Sequence, residues 1–277
     1  MLPMNTIHVG DNVSFGGHTL SVIAGPCVIE DLDMCRIIAE TTKGICERLG
    51  IGYVFKASFD KANRTSVNSF RGPGLDKGLE ILGQIKTEFD LPLLTDIHET
   101  YQVDPVAEVV DILQVPAFLC RQTDLLVACA QSERVVNVKK GQFVAPHDMV
   151  NAVDKIVFTG NKNILLTERG ASFGYNTLIA DMTSIPIMRK TGYPVIFDAT
   201  HSVQQPGGLG IASGGNRQFI PTLTKAAIAS GADGLFIETH PDPAQAKSDA
   251  ACQLPLDELE KLLTSALRVW NAVRESA

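Results

Sequence analysis

Eight short apolar runs recur along the chain, and the hydrophobic positions that follow them keep helical spacing. The runs fall at 21–26, 51–56, 92–97, 110–115, 134–138, 163–168, 194–198 and 233–238. Most are continuously apolar rather than alternating, as parallel strands covered on both faces should be. Between the first two, Met34, Ile37, Ile38, Ile45 and Leu49 form a helical stripe. Leu79, Leu82, Ile85 and Phe89 make a second, and Leu256, Leu259, Leu262, Leu263, Ala266 and Val269 a third. Pro221 stands where the first turn of a helix tolerates proline. Eight strand-then-helix units in about 250 residues predict an α/β protein of the (β/α)8 TIM barrel type. The rival, an open doubly wound sheet, carries a Gly-rich fingerprint after its first strand, and AGPCVIED lacks one. Residues 6–20 predict an N-terminal β-hairpin, turned at Gly16-Gly17 and closing the lower end of the barrel. No repeat or low-complexity linker interrupts the pattern, so residues 1–277 read as a single domain.

Composition narrows the function. Lys and Arg number 24 against 31 Asp and Glu, a net charge of −7, which argues against nucleic acid as a partner. An anionic substrate would have to be met by cations gathered locally. No apolar run approaches the roughly 18 residues of a membrane helix, and the amino terminus shows no basic segment followed by an apolar one. The six cysteines form no CxxC pair, so free thiols and a cytoplasmic location are expected.

Barrel active sites lie at the carboxyl ends of the strands. There the sequence places Cys27 after the first strand, Lys56 at the end of the second with Lys61, Asn63 and Arg64 beyond it, and Asp96 and His98 at the end of the third. The fourth offers Gln114, then Phe118 and Arg121, the fifth ends at Lys139 and Lys140, and the sixth at Glu168 and Arg169. The seventh ends at Asp198 and His201, and the eighth at Glu238 and His240. Two groups stand out. Lys56, Lys61, Arg64, Arg121, Lys139 and Arg169 gather six cations at one mouth of an acidic protein, suited to phosphate and carboxylate groups. Salt bridges to Asp60, Asp96, Glu168 and Asp198 should account for one or two of them. The second group is Cys27, His201 and Glu238, on strands made neighbours by barrel closure, with Asp249 in the loop beyond. Taken singly, each is as readily a core thiol or a structural histidine; together they make a plausible site for a divalent transition metal.

Several segments are more specific. KASFDKANRTS (56–66), SFRGPG (69–74), TDIHE (95–99), QVPAFLCRQTDLL (114–126), NVKKGQF (137–143), TERGASFGYN (167–176), FDATHSVQQPGG (197–208) and ETHPDPAQAKSDAACQLPL (238–256) together resemble the 3-deoxy-D-manno-octulosonate 8-phosphate synthases. The resemblance covers nearly the whole chain in order. It implies condensation of phosphoenolpyruvate with arabinose 5-phosphate on a (β/α)8 barrel, in a homo-oligomer, usually a tetramer, for lipopolysaccharide synthesis. The related heptulosonate enzymes, which use erythrose 4-phosphate, usually carry a KPRTS-like stretch where this chain has KANRTS. The resemblance further implies roles. Lys139, Arg169 and the backbone near Ala117 would hold the phosphoenolpyruvate phosphate, and Lys56 and Lys61 its carboxylate. Phe118 and Gln114 would line the same pocket, while Arg64 and Thr65 would take the sugar phosphate. Arg121 would serve that phosphate from a neighbouring subunit. Asn63, Cys27, His201 and Asp249 are the expected catalytic group. Cys27 replaces the Asn of the metal-free branch, and Ser248 precedes Asp249, so the metal-dependent branch is implied. Cys27, His201, Glu238 and Asp249 would then hold Zn, Fe, Mn or Co. The loop GGLGIASGGN (207–216), with five glycines, would be a mobile lid. Two rivals remain on the residues alone: a Schiff-base aldolase using Lys139 or Lys56, and a non-catalytic sugar-phosphate binding protein.

Overall fold

The computed structural model describes residues 4–207 and 214–274. Two short strands, β1 (Ile7–Val9) and β2 (Val13–Phe15), pair antiparallel with Ile7 opposite Phe15. Strands and helices then alternate: β3 (Ser21–Gly25), α1 (Leu32–Leu49), β4 (Gly52–Lys56), α2 (Leu75–Phe89), β5 (Leu93–Asp96) and α3 (Val103–Val109). Next come β6 (Ile112–Val115), α4 (Thr123–Gln131), β7 (Val135–Lys139), α5 (Met149–Val157) and β8 (Ile164–Glu168). A small pair, β9 (Ala171–Ser172) and β10 (Leu178–Ile179), precedes α6 (Ser184–Arg189) and β11 (Val195–Asp198). A second pair, β12 (Gln204–Gln205) and β13 (Gly214–Gly215), precedes α7 (Ile220–Ala229), β14 (Gly234–His240), β15 (Leu254–Pro255) and α8 (Leu259–Arg274).

Strands β3, β4, β5, β6, β7, β8, β11 and β14 each lie parallel to the next, and β14 pairs with β3 to close the barrel. The eight expected runs match these strands closely. The core is the continuous set of Val, Ile, Leu and Phe side chains that the strands and the inner helix faces share. Asp31 caps α1 by accepting from the Met34 amide at 2.8 Å. Of the stripe expected on α1, Ile37 is turned out and 51% exposed, because neighbouring Ile38 already faces the barrel and successive helical positions point about 100° apart. All six cysteines are free and buried. No described helix is long and apolar enough to cross a membrane.

The hairpin lies where expected, but its turn does not. The chain reverses at residues 10–12, where Gly10 takes φ 59°; Gly16 instead bends the connection toward β3, where a Cβ would meet the Asn5 carbonyl oxygen at 2.5 Å. Ser21 donates to the Ser14 carbonyl at 2.8 Å, and Phe15 packs at Gly234. Ser21 and Gly234 begin β3 and β14, so the hairpin covers the amino-terminal end of the barrel and leaves the other end to the site.

Gly25 fixes the opposite end. A Cβ there would lie 1.9 Å from the Lys56 carbonyl oxygen, so β3 and β4 can run this close only with no side chain at 25. Gly25→Ala must push two central strands apart. A loss of about 3 kcal/mol is expected, seen as a melting temperature lower by roughly 6–12 °C. A variant as stable as the parent would show that the strands can part without cost.

Candidate active site

The carboxyl ends of the strands surround a cavity of about 450 Å³. Lys61, Asn63, Arg64, Thr65, Gln114, Ala117, Phe118, Lys139, Arg169, His201, Glu238 and Asp249 all line it. Lys56, Cys27 and Arg121 do not. Lys56 is buried beneath the floor, donating to Glu238 Oε1 at 2.6 Å and to the Pro26 and Cys27 carbonyls at 3.1 and 2.8 Å. Those three bonds use all three ammonium protons. Cys27 lies beneath the surface beside Asp249, and Arg121 is exposed outside the cavity. Lys140 points away from the mouth, packed near Glu168 at 3.6 Å. Of the lid, residues 208–213 lie outside the described residues.

Carboxylates answer three of the six cations rather than one or two. Besides Lys56, Lys61 lies 3.7 Å from Glu238 and 3.8 Å from Asp96, and Lys139 lies 2.6 Å from Asp198. Burial opposes the charge on Lys61, but the surrounding anionic groups outweigh it and hold its pKa well above the usual value. For Lys139 burial prevails, and its pKa is lowered despite Asp198. Its ammonium also sits 3.6 Å above the Phe236 ring. Arg64 and Arg169 differ. Among the described residues they bond only to neutral groups: Arg64 to Ser248 Oγ at 2.8 Å and the Lys247 carbonyl at 3.3 Å, Arg169 to Gln204 Oε1 at 2.9 Å. Arg169 is buried, and its Nη1 has no partner among the described residues. Burial lowers its pKa, yet a guanidinium stays charged across the physiological range.

The second group also converges. Ligand atoms of Cys27, Glu238 and Asp249 lie within 4.8 Å of one another. His201 Nε2 adjoins them, 3.4 Å from Glu238 Oε2 and 3.8 Å from Asp249 Oδ2. Asp198, whose pKa Lys139 and His201 hold far down against the effect of burial, accepts from His201 Nδ1 at 2.7 Å. That bond places a proton on Nδ1 and directs Nε2 at the carboxylates, the orientation in which histidines ligate metals. Burial opposes the His201 charge, but Asp198 and Glu238 raise its pKa overall. Glu238 is held down to about 2, Lys56 and His201 outweighing burial. Its Oε2 is nonetheless buried without a hydrogen-bond partner among the described residues. Burial and Glu238 push the Cys27 thiol well above its ordinary value. A buried acceptor with no donor, an oriented imidazole, a thiol and a second carboxylate fit a divalent transition metal.

A belt of side chains inside the barrel was not evident beforehand. Thr167 donates to Asn137 at 2.7 Å, Asn137 to Gln114 at 2.8 Å, and Gln114 to Asp96 at 2.5 Å, while Ser58 donates to Asp96 from the other side. This belt crosses β8, β7, β6 and β5 and fixes Asp96 beside Lys61. Gln204, also missed, joins Arg169 to Asp249, donating to Asp249 Oδ1 at 3.3 Å.

The model of the DAHP synthetase I family matches residues 5–274. Among curated proteins, the "2-dehydro-3-deoxyphosphooctonate aldolase" of Syntrophotalea carbinolica is 56% identical over 271 residues, 98% of each chain. The proteins of that name from Cyanothece sp. and Geotalea daltonii are 56% and 58% identical, covering 98% and 93% of this chain and 99% and 94% of their own. With this match and a strand-end cavity rich in cations, the chain belongs to the DAHP synthetase I family and, within it, to the 2-dehydro-3-deoxyphosphooctonate aldolases, also called 3-deoxy-D-manno-octulosonate 8-phosphate synthases.

Proposed function

We propose that this chain condenses phosphoenolpyruvate with D-arabinose 5-phosphate and water, releasing 3-deoxy-D-manno-octulosonate 8-phosphate and inorganic phosphate, a step of lipopolysaccharide synthesis. The observation that carries this reading is the pair of arginines in one cavity that form no salt bridge among the described residues. Two anionic groups are needed to answer them, and two phosphorylated substrates supply them. Arg169, with its unpartnered Nη1, takes the phosphoenolpyruvate phosphate together with Lys139 and the backbone near Ala117. Lys61 meets the carboxylate, with Gln114 and Phe118 along the wall. Arg64 and Thr65 take the sugar phosphate, with Asn63 beside them. Lys56 acts from below by fixing Glu238.

Carbon 3 of phosphoenolpyruvate forms a bond to the aldehyde carbon of the sugar, whose oxygen takes up a proton. Water adds its oxygen at carbon 2 and loses a proton, and phosphate departs from the same carbon. The cavity holds two mutually repelling anions together, converting a bimolecular encounter into reaction at one site. Lys61, fully charged beside Asp96, stabilises negative charge at the carboxylate end. Asp198 fixes the His201 ring so that Nε2 faces Glu238 and Asp249. We place the chain in the metal-dependent branch, with Cys27, His201, Glu238 and Asp249 holding Zn, Fe, Mn or Co. Such an ion supplies a Lewis acid that lowers the pKa of a coordinated oxygen. The working form is a homo-oligomer, a tetramer, in which Arg121 reaches a neighbour's sugar site, and its location is cytoplasmic.

The test is phosphate release from phosphoenolpyruvate with each aldose. Arabinose 5-phosphate should give at least about tenfold higher kcat/KM than erythrose 4-phosphate, the difference worth one lost contact. Preference for the four-carbon sugar would move the chain to the heptulosonate activity.

A further inference from the structure

Ser248 stands between the two ends of the cavity. Its hydroxyl oxygen lies 2.8 Å from Arg64 Nη1 and 3.0 Å from Cys27 Sγ, and the residue is buried. A serine hydroxyl has one proton and two lone pairs. It can therefore accept from the guanidinium and still share a hydrogen bond with the sulfur in either direction. The backbone around it is held: Gln253 Nε2 donates to the Ser248 carbonyl at 2.8 Å, and Asp249 takes φ 47°, a conformation that residues other than glycine seldom adopt. Asp249 in turn lies 3.4 Å from Cys27 Sγ and reaches Arg169 through Gln204. A displacement of Arg64 is thus transmitted to the sulfur through a single atom on a stiff turn. Without that hydroxyl, Arg64 would keep only the Lys247 carbonyl at 3.3 Å among its described partners.

We propose that Ser248 is a positioning residue that couples the sugar-phosphate end of the cavity, through Arg64, to the Cys27, His201, Glu238 and Asp249 cluster. The inference rests on the reading that Arg64 binds the phosphate of arabinose 5-phosphate. Engagement of Arg64 by phosphate draws on the hydroxyl that steadies the sulfur, so each end senses occupancy at the other. Such coupling is reciprocal by thermodynamic necessity.

A double-mutant cycle on the full chain tests it. Ser248→Ala should raise KM for arabinose 5-phosphate about tenfold and leave KM for phosphoenolpyruvate within about twofold. In an Arg64→Ala background the same change should add less than about twofold, because the partner through which it acts is gone. A second readout uses Co²⁺ loaded after chelation. Arabinose 5-phosphate alone should shift the sulfur-to-cobalt absorption of the parent but not that of Ser248→Ala. Equal losses for both substrates, full additivity in the cycle, or a cobalt band that still shifts in Ser248→Ala overturns the coupling while turnover with arabinose 5-phosphate stands. A parent protein that does not use arabinose 5-phosphate overturns the proposal together with the functional reading, a distinguishable result.

Discussion

Stripping the protein with a strong chelator is expected to reduce phosphate release at least about a hundredfold, and Mn²⁺, Fe²⁺, Co²⁺ or Zn²⁺ should restore it. The argument joins donor chemistry to geometry. Sulfur, nitrogen and carboxylate oxygen together favour these ions over Mg²⁺, which prefers oxygen alone. Glu238 Oε2 is buried with no hydrogen bond among the described residues, an arrangement that costs free energy unless something positive completes it. His201→Ala should remove both metal and activity and leave the barrel folded, since its ring sits at the rim of the core. Asp198→Asn should act at one remove. It keeps a side chain beside Nδ1 but no longer fixes the proton there, and a weakening of metal binding by about 10–100-fold is expected. Elemental analysis before and after chelation, paired with activity, decides the matter. Full activity in the stripped protein would show that Cys27 is only a buried thiol.

The barrel could be read from the sequence because its strands are buried on both faces and therefore appear as unbroken apolar runs. Their order also reveals which residues sit at the active end, which is why Cys27, His201 and Glu238 could be brought together before any coordinates. Depth could not be read in the same way. Lys56 and Lys61 both stand at the carboxyl end of β4, yet only Lys61 lines the cavity. Lys56 ends the strand itself, where its side chain turns inward beneath the floor and meets Glu238. The belt through Ser58, Gln114, Asn137 and Thr167 was equally obscure. Each is a single polar residue in an apolar run or just beyond it, and only the parallel pairing and register of neighbouring strands bring them into one chain of hydrogen bonds. Asp198 appeared as a counter-ion for lysine, which it is, but its bond to His201 Nδ1 depends on the short helical turn that follows β11. The hairpin turns at Gly10, whose left-handed φ reverses the chain, rather than at Gly16-Gly17, where the missing side chain relieves a close contact.

Replacing Arg64 and Arg169 in turn should split the substrates. Arg64→Ala should raise KM for arabinose 5-phosphate by about 10–100-fold and leave phosphoenolpyruvate nearly unaffected, as loss of a charge-assisted contact worth about 1.5–3 kcal/mol requires. Arg169→Ala should do the reverse, and more severely. Arg64 is partly open to water and can be partly replaced by it, whereas Arg169 is buried and its Nη1 has no partner among the described residues. Removing Arg169 also frees Gln204, which holds Asp249, so kcat should fall along with the affinity for phosphoenolpyruvate. Arg169→Lys should recover little, because a single ammonium cannot both bond to Gln204 and fork onto a phosphate. Steady-state kinetics with each substrate varied in turn, on variants whose melting temperatures match the parent, would measure the split. If both variants weakened both substrates equally, the two arginines would be serving a single anion, and the cavity would not have separate phosphate poles.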